Sequence, residues 1–189
     1  MMDAFLSSTF AVAIAEIGDK TQLLTLFLAA RFARPGAIIA GILAATLLNH
    51  ALSAWLGAWL VQWVPAHWLS WVIGLSFVAV GLWVLIPDRD DGAEEAVFGY
   101  GAFIASSMLF FMAEIGDKTQ VATVILAASY ESLLPVVTGS TLGMLLANVP
   151  VVYTGSWLMQ KLPLGLIRVV ACLLFVGLGG LALFTRHSV

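Results

Sequence analysis

The stretch Glu16-Ile17-Gly18-Asp19-Lys20-Thr21-Gln22 returns unchanged as Glu114-Ile115-Gly116-Asp117-Lys118-Thr119-Gln120, 98 positions later. Each copy sits inside a long apolar run, Ala4 to Ala30 in the first case and Gly99 to Ala128 in the second. Two acids and a lysine within five residues are costly in such surroundings. On insertion scales each charge near the centre of a membrane helix costs about 2.5–3.5 kcal/mol. Six unpaired charges would cost on the order of 15–20 kcal/mol, more than the roughly 5–15 kcal/mol that holds a typical domain together. The charges must therefore be paired, protonated, hydrated or ligated, and the expectation is that the two copies meet and hold a metal cation.

Composition places these runs in a bilayer. The chain has 189 residues, of which 61% are hydrophobic and 10% charged, and its mean hydropathy is +1.03. A soluble domain carries roughly 25% charged residues. So apolar a chain reads as an all-α polytopic membrane protein. The net charge of −3 and the lack of a basic patch exclude nucleic acid as a partner. The single Cys172 cannot form an internal disulfide, has no zinc-ligand spacing around it, and reads as a small buried hydrophobe. No basic region precedes the first apolar run and no small-residue cleavage site ends it, so that run reads as a retained span.

Six spans of about 20 residues fit the chain. They cover Ala4 to Ala30, Ala37 to Trp63, Trp68 to Ile86, Gly99 to Ala128, Pro135 to Met159 and Leu164 to Phe184. The first and fourth are long, which predicts tilt or a break at the Gly-Asp step. Trp55, Trp59 and Trp63 recur at intervals of four and read as an interfacial or packing stripe.

The 98-residue offset extends beyond the motif. Gly41 matches Gly139, Gly57 matches Gly155, Trp59-Leu60 matches Trp157-Leu158, and Phe77-Val78 matches Phe175-Val176. Such a register marks a duplication. It divides the chain into a three-helix repeat over 1–87, an acidic linker over 88–97 and a second three-helix repeat over 98–189. Three crossings leave the chain on the opposite side, so the second repeat enters upside down, and inverted repeats place their sites near the midplane, where they meet. Arg31, Arg34, Arg89, Lys161 and Arg168 fall on one side and Arg186 on the other. The positive-inside rule then puts the linker in the cytoplasm and both termini outside.

On an unbroken helix Glu16, Asp19 and Lys20 would share one face, as would Glu114, Asp117 and Lys118. Two facing helices would then offer four carboxylates, Glu16, Asp19, Glu114 and Asp117, as hard ligands suited to Ca²⁺, Mn²⁺ or Mg²⁺. Thr21, Gln22, Thr119 and Gln120 could add neutral oxygens or steady the acids, and Gly18 and Gly116 let backbones approach or let the helix open. Crowded carboxylates also take up protons, so protons and cation would compete for one site. Lys20 and Lys118 would limit cation affinity and so help release. The plainer reading makes Glu16–Lys20 and Glu114–Lys118 ion pairs within each helix, but it leaves Asp19 and Asp117 without partners. His50 and the matching Asn148 would line the same cavity or bond across helices.

The doubled Glu-x-Gly-Asp-Lys-Thr motif, opening each three-span half, resembles uncharacterised protein family 0016. This is the Gdt-type family of the eukaryotic Golgi transmembrane protein 165 and bacterial manganese exporters. The resemblance covers essentially the whole chain. It implies a cation/proton antiporter that moves Mn²⁺ or Ca²⁺ out of the cytoplasm, with Glu16, Asp19, Glu114 and Asp117 as the cation-binding acids. It implies no cofactor and no enzymatic activity, and together with the chain's brevity it points to a bacterial inner membrane. Two alternatives compete. One is a passive cation channel lined by acids. The other is an intramembrane aspartyl protease, which the glutamates at Glu16 and Glu114 disfavour because such enzymes carry Gly-x-Gly-Asp.

Overall fold

The computed structural model describes residues 1–86, 100–130, 132–155, 157 and 163–185. The linker 88–97 and the basic residues Arg89, Lys161 and Arg186 lie outside the described residues. The described residues are helical apart from short connections. Eight helices follow in order: α1 (Met2–Glu16), α2 (Lys20–Phe32), α3 (Pro35–Val61), α4 (Ala66–Val84), α5 (Ala102–Glu114), α6 (Lys118–Tyr130), α7 (Leu133–Thr154) and α8 (Leu164–Thr185). Among the described residues four stretches are long and apolar enough to cross a membrane: Pro35–Val61, His67–Val84, Leu133–Thr154 and Gly165–Phe184.

Local chemistry sets the helix ends. Ala33 takes a left-handed conformation and returns its N–H to Ala29 O, and Pro35 then opens α3 where no backbone donor is needed. Pro65 precedes α4, as the sequence predicts. Helix α7 ends at Thr154, and the remainder of the fifth span, expected to reach Met159, lies largely outside the described residues. Gly155 there adopts φ 57° and caps the helix through its N–H to Val151 O.

An apolar interior encloses a set of polar side chains, and the exterior is apolar. Glu16, Gln22, Asn49, His50, Glu114 and Asn148 are buried, while Leu47, Leu52, Trp55, Leu75 and Leu173 are exposed. That arrangement is stable where the surrounding solvent is hydrocarbon. Trp55, Trp59 and Trp63 all face outward, with Trp59 and Trp63 in edge contact at 5.7 Å. Cys172 is only half-buried rather than sealed in the core.

Packing exchanges the two halves. Helix α1 lies along α7, α5 lies along α3, and α3 meets α7. Gly41 approaches the backbone at Phe103, and its counterpart Gly139 approaches the backbone at Phe5, 98 positions from Phe103. Gly81 faces Cys172 O and Gly179 faces Gly74 O in the same reciprocal way. Phe77 stacks on Phe175, its own counterpart, with ring centroids 6.3 Å apart. Small residues at these crossings let backbones touch, which is how helices associate without a hydrophobic drive in lipid.

The exchange is incomplete. Helix α4 packs on α6, and α8 on α1, whereas among the described residues the related pairs α8–α2 and α4–α5 have no comparable packing. The α4–α8 pair thus leans toward α1 and α6.

Candidate cation-binding site

Both motifs break their helices. Helix α1 ends at Glu16 and α2 begins at Lys20, and Gly18 between them takes φ 83°. Helix α5 ends at Glu114 and α6 begins at Lys118, with Gly116 at φ 76°. Only glycine enters that region without strain. The motif's glutamine closes each break: Gly18 N–H donates to Gln22 Oε1 at 2.8 Å, and Gly116 N–H to Gln120 Oε1 at 2.7 Å. The single helical stripe expected for Glu16, Asp19 and Lys20 therefore does not form. The break instead puts each glutamate at a helix C-terminus and each aspartate at a helix N-terminus. The partial positive charge of a helix N-terminus stabilises the aspartates, while the glutamates at the negative ends call for an added cation or proton.

The two motifs meet. Carboxylate oxygens of Glu16, Asp19 and Asp117 lie within 4.8 Å of one another, and all three residues are buried. The ion pairs cross between copies: Lys20 Nζ is 3.5 Å from Asp117 Oδ1, and Lys118 Nζ is 3.6 Å from Asp19 Oδ1. These crossed pairs replace the Glu–Lys pairs of a continuous helix and give both aspartates partners. Glu114 stands slightly apart from the trio. Thr119 connects it, with its hydroxyl 3.2 Å from Glu114 Oε2 and 3.3 Å from Asp117 Oδ2. Thr21 donates to Glu16 Oε2 in the same manner. The threonines thus hold the glutamates and the glutamines hold the breaks.

A ring of polar side chains surrounds this centre. Gln22 Nε2 donates to Ala147 O at 2.8 Å, and Asn49 Nδ2 donates to Phe111 O at 3.1 Å. Asn148 Oδ1 accepts from Thr25 at 2.7 Å, and Asn148 Nδ2 donates to Met144 O. His50 is fully buried, with Nε2 4.0 Å from Glu114 Oε2. Sequence reading passed over Thr25. Its signal was present, because Thr25 and Thr123 stand 98 apart and one turn beyond Thr21 and Thr119.

Chemically the arrangement is an acidic cage bounded by two lysines and reached by four helix ends. A family model described as "Divalent cation/proton antiporter GDT1" matches residues 4–92 and 102–188, nearly the whole chain. The chain belongs to the GDT1 family. Among curated relatives of this GDT1 protein, a Vibrio cholerae protein named "Putative manganese exporter" is 54% identical over 93% of this chain and 88% of its own length. The rice "GDT1-like protein 4" is 27% identical over 94% of this chain and 72% of its own length. The Synechocystis "GDT1-like protein sll0615" is 26% identical over 93% of this chain and 94% of its own. No solved structure matches. As a GDT1 protein the chain is a membrane transporter rather than an enzyme, which removes the protease alternative, and the ion is its substrate rather than a cofactor.

Proposed function

We propose that this GDT1 protein exports Mn²⁺ from the cytoplasm across a bacterial inner membrane in exchange for protons. Glu16, Asp19, Glu114 and Asp117 hold the ion near the midplane, and Lys20, Thr21, Gln22, Lys118, Thr119 and Gln120 support them. The observation that carries this is the charge balance of the cage. Three clustered carboxylates and Glu114, joined to them through Thr119, stand against two ammonium groups, leaving two negative charges that one divalent cation or two protons would cancel. Exchange of one for the other keeps the buried site neutral at every step, as a low-dielectric interior demands. Manganese is favoured over calcium by the name of the Vibrio cholerae relative.

The proposed topology has six crossings in two inverted three-helix repeats, 1–87 and 98–189, joined by a cytoplasmic linker at 88–97, with both termini outside. The broken helices α1–α2 and α5–α6 supply the first crossing of each repeat. The reciprocal contacts of Gly41 with Phe103 and Gly139 with Phe5 support a pseudo-two-fold relation. On this topology α1 and α6 form the outer half of the bundle, and α4 and α8 lean against that half. Lys118 is 5% exposed and donates to Ile86 O at the end of α4, at 2.9 Å, whereas Lys20 is 24% exposed. The lean of α4 and α8 against the outer half fits a state closed outward, and a rocking α4–α8 pair would alternate it.

The direct test is purified protein in liposomes with a pH gradient. Mn²⁺ movement coupled to opposite proton movement, and insensitive to membrane potential, is expected. Mn²⁺ flux with no proton movement would instead identify a channel. Loss of the gene should make cells sensitive to manganese, and sensitivity to calcium instead would redirect the choice of ion.

Lys118→Gln gives a second expected outcome. The amide can still donate to Ile86 O but removes one positive charge from the cage. Mn²⁺ should bind at least about tenfold more tightly, a change of about 1.4 kcal/mol, and turnover should fall because release slows. Unchanged affinity in a dye-competition titration would mean that Lys118 does not sense the ion.

A further inference from the structure

We propose that His50 supplies a nitrogen ligand to the transported ion and thereby selects Mn²⁺ against Ca²⁺ and Mg²⁺. The inference rests on the carboxylate-cage reading and adds to it the residue that discriminates between ions.

Three observations place His50 in this role. It is fully buried on α3, yet neither Nδ1 nor Nε2 has a hydrogen-bond partner. A buried imidazole with both nitrogens unsatisfied is costly, and native interiors rarely tolerate it without a ligand, ion or water to fill the gap. Next, Nε2 lies 4.0 Å from Glu114 Oε2. That is too long for a hydrogen bond, but it suits two donors on one ion. With metal–ligand distances of about 2.0–2.6 Å, donors on a shared ion stand about 3–5 Å apart. The other carboxylate oxygen of Glu114, Oε1, is also buried without a partner, as is Oε1 of Glu16. Finally, the matching residue of the second half, Asn148, is fully occupied between Thr25 and Met144. One histidine, not a symmetric pair, therefore faces the cage.

Ligand chemistry turns this placement into selectivity. Four carboxylates alone offer Ca²⁺, Mg²⁺ and Mn²⁺ similar all-oxygen coordination. Mn²⁺ prefers oxygen donors, as Ca²⁺ and Mg²⁺ do, but as the first member of the transition-metal affinity series it accepts an imidazole nitrogen more readily than the hard alkaline-earth ions. Replacing one oxygen of the shell by Nε2 thus penalises Ca²⁺ and Mg²⁺ while Mn²⁺ keeps its coordination. Glu114, set apart from the other three acids beside His50, would complete the shell from that side.

The test is pulsed electron paramagnetic resonance on purified full-length protein loaded with Mn²⁺, alongside Mn²⁺ and Ca²⁺ affinities for wild type, His50→Asn and His50→Gln. Bound Mn²⁺ should show ¹⁴N coupling in the wild type and lose it in both variants. Mn²⁺ affinity should fall about 10–100-fold, the range seen when groups around a metal are altered, while Ca²⁺ affinity changes less than about threefold. Wild-type protein that binds Mn²⁺ without nitrogen coupling overturns the role of His50 and leaves the acidic cage standing. Equal weakening of both ions overturns it as well. Wild-type protein that binds neither ion sinks the cage reading itself, and the ligand role with it. Should both variants misfold, the wild-type spectrum alone decides.

Discussion

Asp117→Asn lowers proton-coupled Mn²⁺ transport in liposomes at least about a hundredfold while the protein stays folded. Asparagine is close to isosteric and keeps an oxygen that can accept from Thr119, so the break between α5 and α6 survives. What disappears is one charge of the trio and the partner of Lys20. The cage is left with a single excess negative charge, and a divalent ion then arrives uncompensated in a low-dielectric interior. A hundredfold loss corresponds to about 2.7 kcal/mol, a modest demand for such a change. Asp19→Asn should behave alike, because it occupies the reciprocal place opposite Lys118. Thermal unfolding and size-exclusion profiles separate loss of the site from loss of fold. Normal transport in Asp117→Asn would end the carboxylate reading, and a large difference between the two aspartate variants would contradict a single shared site.

Gly143→Ala should destabilise the protein strongly at the α1–α7 crossing, and Gly143→Leu should prevent folding. A Cβ on Gly143 would stand 2.6 Å from Thr9 O and 2.9 Å from Ala13 N, both backbone atoms of α1 that cannot rotate away. With Gly139 four residues earlier, it forms the small-x-x-x-small face that lets α1 lie directly on α7. Forcing these helices apart also moves Glu16, which ends α1. Overpacking typically costs about 1–3 kcal/mol, and an obstruction made of backbone belongs at the upper end. Gly180→Ala on α8 is the control, because nothing lies within 4 Å of its added carbon. A melting temperature for Gly143→Ala equal to that of Gly180→Ala would show that the crossing can relax.

Much of the fold was legible from residue type and spacing. Apolar runs bounded by Pro35 and Pro65 placed the helices, since proline lacks the donor that a continuing helix needs. Glycine before aspartate in a run too long for one span predicted the break. The exit of α7 at Thr154 was harder to read, because glycine at position 155 becomes a stop only if the chain adopts a positive φ there. The site was half legible. Doubling of the motif singled out acids of which the structure brings Glu16, Asp19 and Asp117 together, but the stripe drawn on a continuous helix was wrong in geometry. The crossed pairing of Lys20 with Asp117 and Lys118 with Asp19 depends on how two separate breaks approach each other, which no spacing within one segment encodes.

Amino-acid order alone settled that charges sit within apolar runs, that the pattern repeats at a constant offset, and that hard oxygen donors dominate. Those properties are local: they follow from composition, periodicity and the cost of a charge in hydrocarbon. Assembly in three dimensions set the rest. It determined which acid meets which lysine, that Glu114 stands aside with His50, and that α4 and α8 lean to one side of an otherwise reciprocal bundle. The physical reason is that two halves sharing one motif and one register can satisfy the same contacts in more than one way. Only the packed whole breaks that symmetry.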